Sequence, residues 1–448
     1  MQIWRCKNCG YIHQGEEPST NCPLCGVDSE NFSRVENIKS DMDTQLEKVL
    51  IIGNGAAGME AASRIREKNK TVEITIFTEE PYHFYSRIHL STFIGDNSSA
   101  EDITIYPKSW YEKNNIQVFL HTSIVKVSPL EKFVIDGTGK KHGYDKLIIA
   151  TGAYPFVPPI QGDELKGVFT LRNLQDALRI KKFMKNCKAA VIIGGGILGI
   201  EAAASLNKNG LAVTVIELAG FIMPQQLNQE GAQALQKILE KRGINFRTSA
   251  RVQIFEGESA LKSILVNENE HIATQMAILS IGIIPNIGLA KEAGIQSNRG
   301  IVVNNNMQTN FKDIYAVGDV AEFNGTIFGI WPAAVDQGLV AADHILGLSP
   351  TYRGSLPLHI LKVAGLELTT FGQKNIIHRN EHEVIYHNPT DDQFAKIIHD
   401  GEYILGAIIL GIPGIGFRLE RLLIKKKPIT DYLSYFEKGD WNILKQKK

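Results

Sequence analysis

Four of the five cysteines lie within the first 25 residues, at Cys6, Cys9, Cys22 and Cys25. They form two C-x-x-C pairs, each followed directly by glycine, with twelve residues between Cys9 and Cys22. Glycine permits the left-handed turn that points backbone N–H groups at thiolate sulfurs. Four thiolates in a tetrahedron bind zinc or a single iron. The sequence therefore predicts a metal domain over residues 1–36, which is too small to be stable without its metal.

Glycines at fixed spacing form a second set of residues that could do chemistry. Residues 49–59, V-L-I-I-G-N-G-A-A-G-M, are an apolar strand followed by Gly53, Gly55 and Gly58. In a dinucleotide-binding turn these glycines allow a tight turn, close approach of a pyrophosphate and close packing of helix on strand. A strand over 72–77 follows, and then Glu79 and Glu80, either of which is placed to bind a ribose.

The same pattern recurs over A-A-V-I-I-G-G-G-I-L-G-I-E, residues 189–201, with Gly194, Gly196 and Gly199. We predict a helix over 198–208 and a strand over 212–216 that ends at Glu217. That carboxylate would bind both hydroxyls of an adenosine ribose and repel a 2′-phosphate, which favours NADH over NADPH. A further helix is predicted over 230–242.

Two other strand ends carry motif residues that a nucleotide could approach. A buried strand leads into A-T-G at Ala150, Thr151 and Gly152, and a later strand leads into Gly318 and Asp319. The predicted fold class is α/β with two Rossmann-like domains, a C-terminal α+β domain and the small metal domain. The predicted boundaries are 1–36 for the metal domain, 37–47 for a linker, 48–154 with 277–345 for the first nucleotide domain, 155–276 for the second, and 346–448 for the C-terminal domain.

Composition excludes several classes of function. Lys+Arg and Asp+Glu number 48 each, so a zero formal charge gives no electrostatic reason to expect nucleic acid or an anionic membrane as partner. No apolar run has the length of a transmembrane helix, and the N-terminus lacks the apolar core of a signal peptide. We therefore expect a cytoplasmic protein. The fifth cysteine, Cys187, is expected to be an inert, packed residue.

The N-terminal text resembles a known metal module. W-R-C-K-N-C-G-Y-I-H-Q-G-E-E-P, followed by C-P-L-C-G, resembles the short rubredoxin-like domain of rubrerythrins over residues 2–34. The resemblance implies one iron on Cys6, Cys9, Cys22 and Cys25. A zinc ribbon remains the alternative.

The two glycine motifs, with A-T-G between them and G-D after them, resemble the pyridine nucleotide–disulfide oxidoreductase superfamily. The resemblance implies FAD on the first fold and the nicotinamide cofactor on the second. The residues it implies for FAD are Gly53, Gly55, Ala57, Gly58, Glu79, Glu80, Arg87, Ala150, Thr151, Gly152, Gly318, Asp319, Trp331 and Pro332. Those it implies for NAD are Gly194, Gly196, Gly199, Glu201, Glu217 and Gly282.

The resemblance also implies roles at the site of chemistry. Glu201 matches a glutamate near the nicotinamide, and Arg87 matches a basic residue near the flavin, so an Arg87–Glu201 pair is possible. The sequence departs from the disulfide reductases of this superfamily in one respect, which is that its first helix carries no redox cysteines. Electrons on the flavin must therefore leave directly to a one-electron centre or to oxygen.

The text Y-R-G-S-L-P followed by L-K-V-A-G, residues 352–365, resembles NADH:rubredoxin oxidoreductases and the flavin-binding part of NADH-dependent nitrite reductases. This implies an enzyme that passes electrons from NADH through FAD to the four-cysteine iron and then to a partner, such as a rubrerythrin-like or flavodiiron protein. It also makes a homodimer possible. Two alternatives remain open, namely an NADH oxidase or nitrite-reductase-associated diaphorase with a structural zinc ribbon, and a redox-sensing flavoprotein.

Overall fold

A computed structural model describes residues 2–6, 12–22, 27–34, 46–363 and 365–446 of the 448-residue chain. The chain divides into two compact units. The first unit comprises Met1–Ile88, Ser98–Tyr154 and Ile283–Ser355, and the second comprises His89–Asn97, Pro155–Gly282 and Leu356–Lys448. The predicted linker at 37–47 falls almost entirely outside the described residues.

The small N-terminal domain is a three-stranded antiparallel sheet. Its strands are β1 (Gln2–Cys6), β2 (Ile12–Gly15) and β3 (Phe32–Arg34), in the order β2-β1-β3. Cys6 ends β1. The backbone N–H of Cys22 donates to the carbonyl of Val27 at 2.6 Å.

Strands dominate the chain from 46 to 155. Its elements are β4 (Lys48–Ile52), α1 (Ala56–Lys68), β5 (Glu73–Phe77), α2 (Leu90–Phe93), α3 (Lys108–Lys113), β6 (Ile116–Phe119), β7 (Ile124–Ser128), β8 (Phe133–Asp136), β9 (Lys141–Gly143), β10 (Lys146–Ile149) and β11 (Ala153–Pro155).

The following stretch repeats the alternation of strand and helix. Its elements are β12 (Val168–Thr170), α4 (Leu174–Phe183), β13 (Ala189–Ile193), α5 (Ile197–Lys208), β14 (Ala212–Ile216), α6 (Gln229–Lys241), β15 (Ile244–Arg247), β16 (Val252–Gly257), β17 (Leu261–Val266), β18 (Glu270–Ala273), β19 (Met276–Leu279) and β20 (Ile283–Pro285).

The remaining elements complete the first unit and build the C-terminal domain. They are α7 (Gly288–Glu292), β21 (Ile301–Val303), β22 (Ile314–Ala316), β23 (Ala321–Phe323), α8 (Trp331–Ile345), β24 (Leu358–Val363), β25 (Leu366–Gly372), β26 (His382–Asn388), β27 (Gln393–His399), β28 (Ile404–Leu410), α9 (Ile415–Ile424), α10 (Leu433–Glu437) and α11 (Ile443–Gln446).

Two five-stranded parallel sheets position the glycine motifs. The first has the order β22-β10-β4-β5-β6 and the second β12-β19-β13-β14-β15. The strands that lead into the glycines, β4 and β13, are central and almost entirely buried, which is why their sequences read as unbroken apolar runs. In an open parallel sheet, ligands bind beyond the carboxyl ends of such strands.

The C-terminal domain is α+β. Its antiparallel sheet has the order β24-β25-β28-β27-β26, and buried apolar side chains of this sheet form one core with those of α9, α10 and α11. The two parallel sheets and this domain confirm the predicted fold class. The exact domain boundaries stay a prediction.

Within the described residues, no helix combines the length and the apolar character needed to cross a membrane.

Candidate dinucleotide and electron-transfer site

The turn from β4 into α1 requires glycine at its first and last motif positions. Gly53 has a φ of +119°, and a Cβ there would lie 2.1 Å from the carbonyl oxygen of Ala150. A Cβ on Gly58 would lie 2.2 Å from the carbonyl oxygen of Gly53. Both approaches are far below van der Waals contact, so the strand, the turn and the helix can pack this closely only without side chains.

The middle glycine has a different environment. A Cβ on Gly55 would meet no atom within 4 Å among the described residues. Gly55 is the N-cap of α1, where backbone N–H groups lack helical partners and the helix dipole is positive. The open cradle therefore fits a pyrophosphate, as the motif predicts.

The second glycine loop has the same geometry. Gly194 has a φ of +105°, and its Cβ would lie 2.2 Å from the carbonyl oxygen of Ser280. A Cβ on Gly199 would lie 2.0 Å from the carbonyl oxygen of Gly194, whereas one on Gly196 would meet no described atom within 4 Å. This loop also fits a dinucleotide.

Glu217 is held at the edge of the second glycine loop. Its two carboxylate oxygens accept hydrogen bonds from the backbone N–H groups of Gly195, at 2.7 Å, and Ala219, at 2.8 Å. The contact with Gly195 places the carboxylate directly against the glycine loop. This is the position from which an acid can reach the ribose of a bound adenosine.

The two acids after β5 have different surroundings. Glu80 accepts a hydrogen bond from the Tyr85 hydroxyl at 2.6 Å and forms an ion pair with Arg87. Glu79 is exposed, and its carboxylate forms no hydrogen bond or ion pair with another described residue. The structure thus engages Glu80 within the protein and leaves Glu79 available.

Two strand ends meet near the first cradle. The Thr151 hydroxyl donates to the carbonyl of Asn286 at 3.1 Å, and the Asn286 amide donates to the carbonyl of Thr151 at 2.9 Å. The backbone N–H of Asn286 also donates to Gly152 at 2.9 Å, while Ala150 abuts Gly53 as described above. Asn286 therefore fixes the A-T-G turn.

The G-D turn packs on the start of α1. Gly318 has a φ of +80°, and a Cβ there would lie 3.0 Å from the Ala57 side chain. Its backbone N–H donates to the Gln337 side chain at 2.7 Å, and Asp319 follows in a short 3₁₀ turn. The predicted residues Ala57, Gly318 and Asp319 thus lie on one small patch.

Helix α8 begins at Trp331, one of the residues that the resemblance implies for FAD. Trp331 and Pro332 open it, and the Trp331 ring stacks on Phe84 with 5.8 Å between centroids. Farther along, Gln337 donates to the Tyr352 hydroxyl at 3.4 Å, and Tyr352 and Ser355 are hydrogen-bonded at 3.0 Å. Ser355 in turn donates to Asp336 at 2.8 Å.

Glu201 lies on α5 in the second unit. Burial raises the pKa of its carboxyl to about 7, and a 2.7 Å hydrogen bond from the Ser91 hydroxyl opposes that shift. A carboxyl that titrates near neutrality is suited to hold or release a proton at physiological pH. Gly282, with a φ of +119°, has no described atom within 4 Å of its Cβ position, so its loop has room for a ligand.

Several predicted roles stay predictions. Arg87 forms its ion pair with Glu80, and the Arg87–Glu201 pair remains untested. Cys6 and Cys22 are buried, at 1% and 2% exposure, whereas Cys9 and Cys25 lie outside the described residues, so the four-cysteine site stays a prediction. The Cys187 thiol is half-buried, and burial raises its pKa, as expected of an unreactive thiol.

Sequence reasoning missed Asn286, Ser91 and Gln337. Asn286 directly follows the I-I-P text, so a polar residue after that loop was the available signal. Ser91 lies 110 positions before Glu201, and no periodicity connects them.

The family model described as pyridine nucleotide-disulphide oxidoreductase matches residues 47–338. The chain belongs to this family. In this oxidoreductase, residues 4–33 also match the rubredoxin-like domain of rubrerythrins, which confirms the predicted module.

Relatives of this oxidoreductase include an NADH-rubredoxin oxidoreductase of Clostridium acetobutylicum, 34% identical over 86% of this chain and 97% of the relative. The crystal structure of NADH:rubredoxin oxidoreductase from that organism is similar with a TM-score of 0.70 at 31% identity, over 85% of this chain and 95% of that one. A nitrite reductase of Bacillus subtilis is 36% identical over 86% of this chain but only 48% of its own length. The chain spans about half the length of several curated relatives it matches.

Proposed function

We propose that this protein is an NADH:rubredoxin reductase that carries its own rubredoxin-type acceptor. Electrons would pass from NADH through FAD to an iron held by Cys6, Cys9, Cys22 and Cys25, and then to an outside redox protein. Rubrerythrin-like and flavodiiron proteins are the proposed acceptors. A cytoplasmic location and a possible homodimer belong to the same proposal.

One observation carries the proposal. The same chain holds a nearly full-length counterpart of an NADH-rubredoxin oxidoreductase and, ahead of it, a rubredoxin-like domain. A reductase fused to a one-electron acceptor raises the acceptor's effective concentration, on the order of millimolar for a short flexible linker. The fusion thus supports transfer within one chain.

Residues of the second cradle support the choice of NADH. The Glu217 carboxylate stands against the glycine loop, where it would accept hydrogen bonds from both ribose hydroxyls. A 2′-phosphate at that position would meet this negative charge, and the next residues, Leu218 and Ala219, offer no cation to offset it. We therefore infer a preference for NADH over NADPH.

Residues around the first glycine loop, between β4 and α1, support FAD as the cofactor bound there. Gly55 and the start of α1 would receive the pyrophosphate, and Glu79 would bind the ribose because Glu80 is already paired with Arg87 and Tyr85. Asp319 would meet the polyol chain. When bound, FAD supplies the exchange between a two-electron hydride donor and one-electron acceptors.

The protein's own residues leave a direct route for those electrons. Helix α1 carries no cysteine, so it offers no dithiol for a disulfide relay. One NADH releases two electrons and one proton as it becomes NAD⁺. Two one-electron reductions at the four-cysteine site balance that oxidation.

An anaerobic titration of the purified holoprotein with NADH, followed by visible absorption, tests the proposal. We expect both the flavin bands and the ferric–thiolate bands to bleach, with one NADH consumed for each pair of electrons taken up. Bleaching of the flavin bands alone, in a protein that contains zinc and no iron, would overturn the proposal.

The similarity to nitrite reductase favours a second candidate, a diaphorase whose small domain is a structural zinc module. Metal analysis of the same sample distinguishes the two candidates. Four-cysteine zinc with rapid flavin reduction would support the diaphorase.

A further inference from the structure

Arg5 connects the small domain to α1 within the first unit. It lies on β1 next to Cys6, and its side chain is only 13% exposed. Its guanidinium forms an ion pair with Glu60, whose side chain is 6% exposed. A pair of charges this deeply buried is costly unless both partners are present, so the contact constrains how the small domain sits on α1.

Several charged side chains interact electrostatically with the Arg5 guanidinium. Glu67 and Asp343 attract its positive charge, whereas the neighbouring Arg64 repels it. Asp336 of α8 also experiences the Arg5 charge. We call Glu60, Glu67, Asp336 and Asp343 the acidic cradle.

The other arginine near this cradle is already engaged. Arg64 donates from Nε to Asp343 at 2.6 Å and from Nη1 to Glu67 at 3.4 Å. Among the described residues, Glu60 has no ion pair except that with Arg5. Glu60 therefore depends on the small domain for its neutralising charge.

The acidic cradle lies beside the residues proposed to hold FAD. Glu60 is two positions beyond Gly58 on the first turns of α1, and Asp336 is five positions beyond Trp331 on α8. Through Ser355, Tyr352 and Gln337, Asp336 is also linked by hydrogen bonds to the backbone of Gly318. Because Arg5 adjoins Cys6, a domain held here has its cysteine site near the flavin site.

We propose that the acidic cradle is the docking site from which the rubredoxin-like domain takes electrons, and that Arg5 is the residue that latches it there. The inference rests on the proposed function and adds a specific contact to it. Each docking event transfers one electron, so the domain takes an electron twice for every NADH oxidised. Arg5 is a positioning residue, because it acts through the placement of the cysteine site.

Zero-length cross-linking tests the docking itself without any electron transfer. The Arg5→Lys substitution keeps the positive charge and brings an amine to the Glu60 carboxylate, and a carbodiimide should join the two. We expect the peptide mass spectrum of the full-length Arg5→Lys holoprotein to contain a cross-link between position 5 and Glu60. The matched control is Arg34→Lys, on neighbouring β3 but exposed, which should give none. A cross-link from position 34 and none from position 5 would overturn the docking site.

Stopped-flow absorption then tests the role of Arg5 in electron transfer. In Arg5→Glu, NADH should still bleach the flavin bands at the wild-type rate, while bleaching of the ferric–thiolate bands slows about tenfold or more, because the fusion still tethers the domain but no longer holds its cysteine site at the acidic cradle. The swap Arg5→Glu with Glu60→Lys should recover most of that rate, and Arg34→Glu should leave it unchanged.

The outcomes separate the two proposals. If the wild-type protein shows no ferric–thiolate band, the proposed function fails. If that band bleaches at the same rate in wild type and Arg5→Glu, only the docking proposal fails.

Discussion

Among single residues, Glu201 shows how burial changes the chemistry of a carboxyl. Its pKa is raised to about 7, so near neutral pH the protein holds it in both protonation states. A carboxyl with a raised folded-state pKa favours folding at low pH, and this contribution is lost as the pH rises from the unfolded value of 4.5 to about 7.

Replacing Ser91 with alanine should raise the Glu201 pKa further, because the hydroxyl donates its hydrogen bond to the charged form. We expect the pH dependence of flavin reduction by NADH to move upward by up to about one pH unit. Stopped-flow rates between about pH 5.5 and 9 measure this shift. Thr92→Ala is the matched control, since that neighbouring hydroxyl donates instead to the carbonyl of His89. An identical profile in wild type and Ser91→Ala would contradict the prediction that Glu201 acts near the nicotinamide.

Glu217→Ala should raise the KM for NADH about tenfold or more, because a charged acceptor of two ribose hydrogen bonds is lost. Its discrimination against NADPH should also weaken, since the negative charge that opposes a 2′-phosphate is gone. Steady-state kinetics with both cofactors measure these effects, and Glu217→Gln should lie between wild type and alanine. Glu258→Ala, an exposed acid on the β16–β17 turn, is the control. Unchanged KM values in Glu217→Ala would contradict the assignment of the second glycine loop to NAD.

At the scale of elements, the two βα turns divide the work among their glycines. The outer glycines of each motif permit packing between strand and helix, whereas the middle glycine leaves space that the protein does not fill. Substitutions at these positions should therefore separate folding from cofactor binding.

Gly58→Ala should destabilise the apoprotein, because its Cβ would overlap the carbonyl of Gly53. The cost is on the order of 1–3 kcal/mol, which is typical of overpacking. Gly55→Ala should leave the apoprotein's thermal midpoint unchanged, since no described atom is near its Cβ, but should weaken FAD retention. Thermal unfolding with and without added FAD measures both effects. Equal losses of apoprotein stability in the two variants would contradict an open pyrophosphate cradle.

The bounds of several helices and strands could be predicted from the sequence. Periodicity and glycine spacing placed α5, β14 and α6 within a residue of their observed bounds, because their signals are local. The partner of Glu80 could not be predicted in the same way. The loop after β5 folds back and brings Arg87 to Glu80, and such a contact depends on tertiary packing rather than on spacing.

For the whole molecule, the limits of sequence reasoning lie in contacts between distant segments. The sequence predicts a small domain tethered by a linker, and no sequence pattern points to a buried pair between Arg5 and Glu60. The same holds in the second unit, where Lys396 of β27 reaches Glu230 of α6 across 166 positions of sequence. Charged residues of this kind look like surface residues until the fold buries them.

Lys396→Met should weaken the association between α6 and the C-terminal sheet. The Lys396 side chain is 5% exposed, and its ammonium contacts Glu230 at 2.8 Å and Glu383 at 2.9 Å. Burial alone would lower the pKa of Lys396, but its interactions with Glu230 and Glu383 raise that pKa by more. The net pKa lies above the ordinary value for lysine, so Lys396 is charged at neutral pH. Because the carboxylates are 55% and 35% exposed and regain water when the pair is broken, we expect a loss of only about 1–2 kcal/mol.

The pH dependence of that loss distinguishes an ion pair from packing. Hydrogen bonding to Lys396 lowers the Glu230 pKa, so this contribution to stability is present above the unfolded value of 4.5 and disappears as the pH falls below it. Urea unfolding at pH 7 and at about pH 3.5 should therefore show a difference between wild type and Lys396→Met that shrinks in acid. Lys241→Met is the control, because that lysine is 62% exposed and lies 3.6 Å from Asp392 in an ion pair between the same two segments, worth at most about 0.5 kcal/mol. A difference that persists unchanged in acid would mean that Lys396 acts through the packing of its alkyl chain and not through its charge.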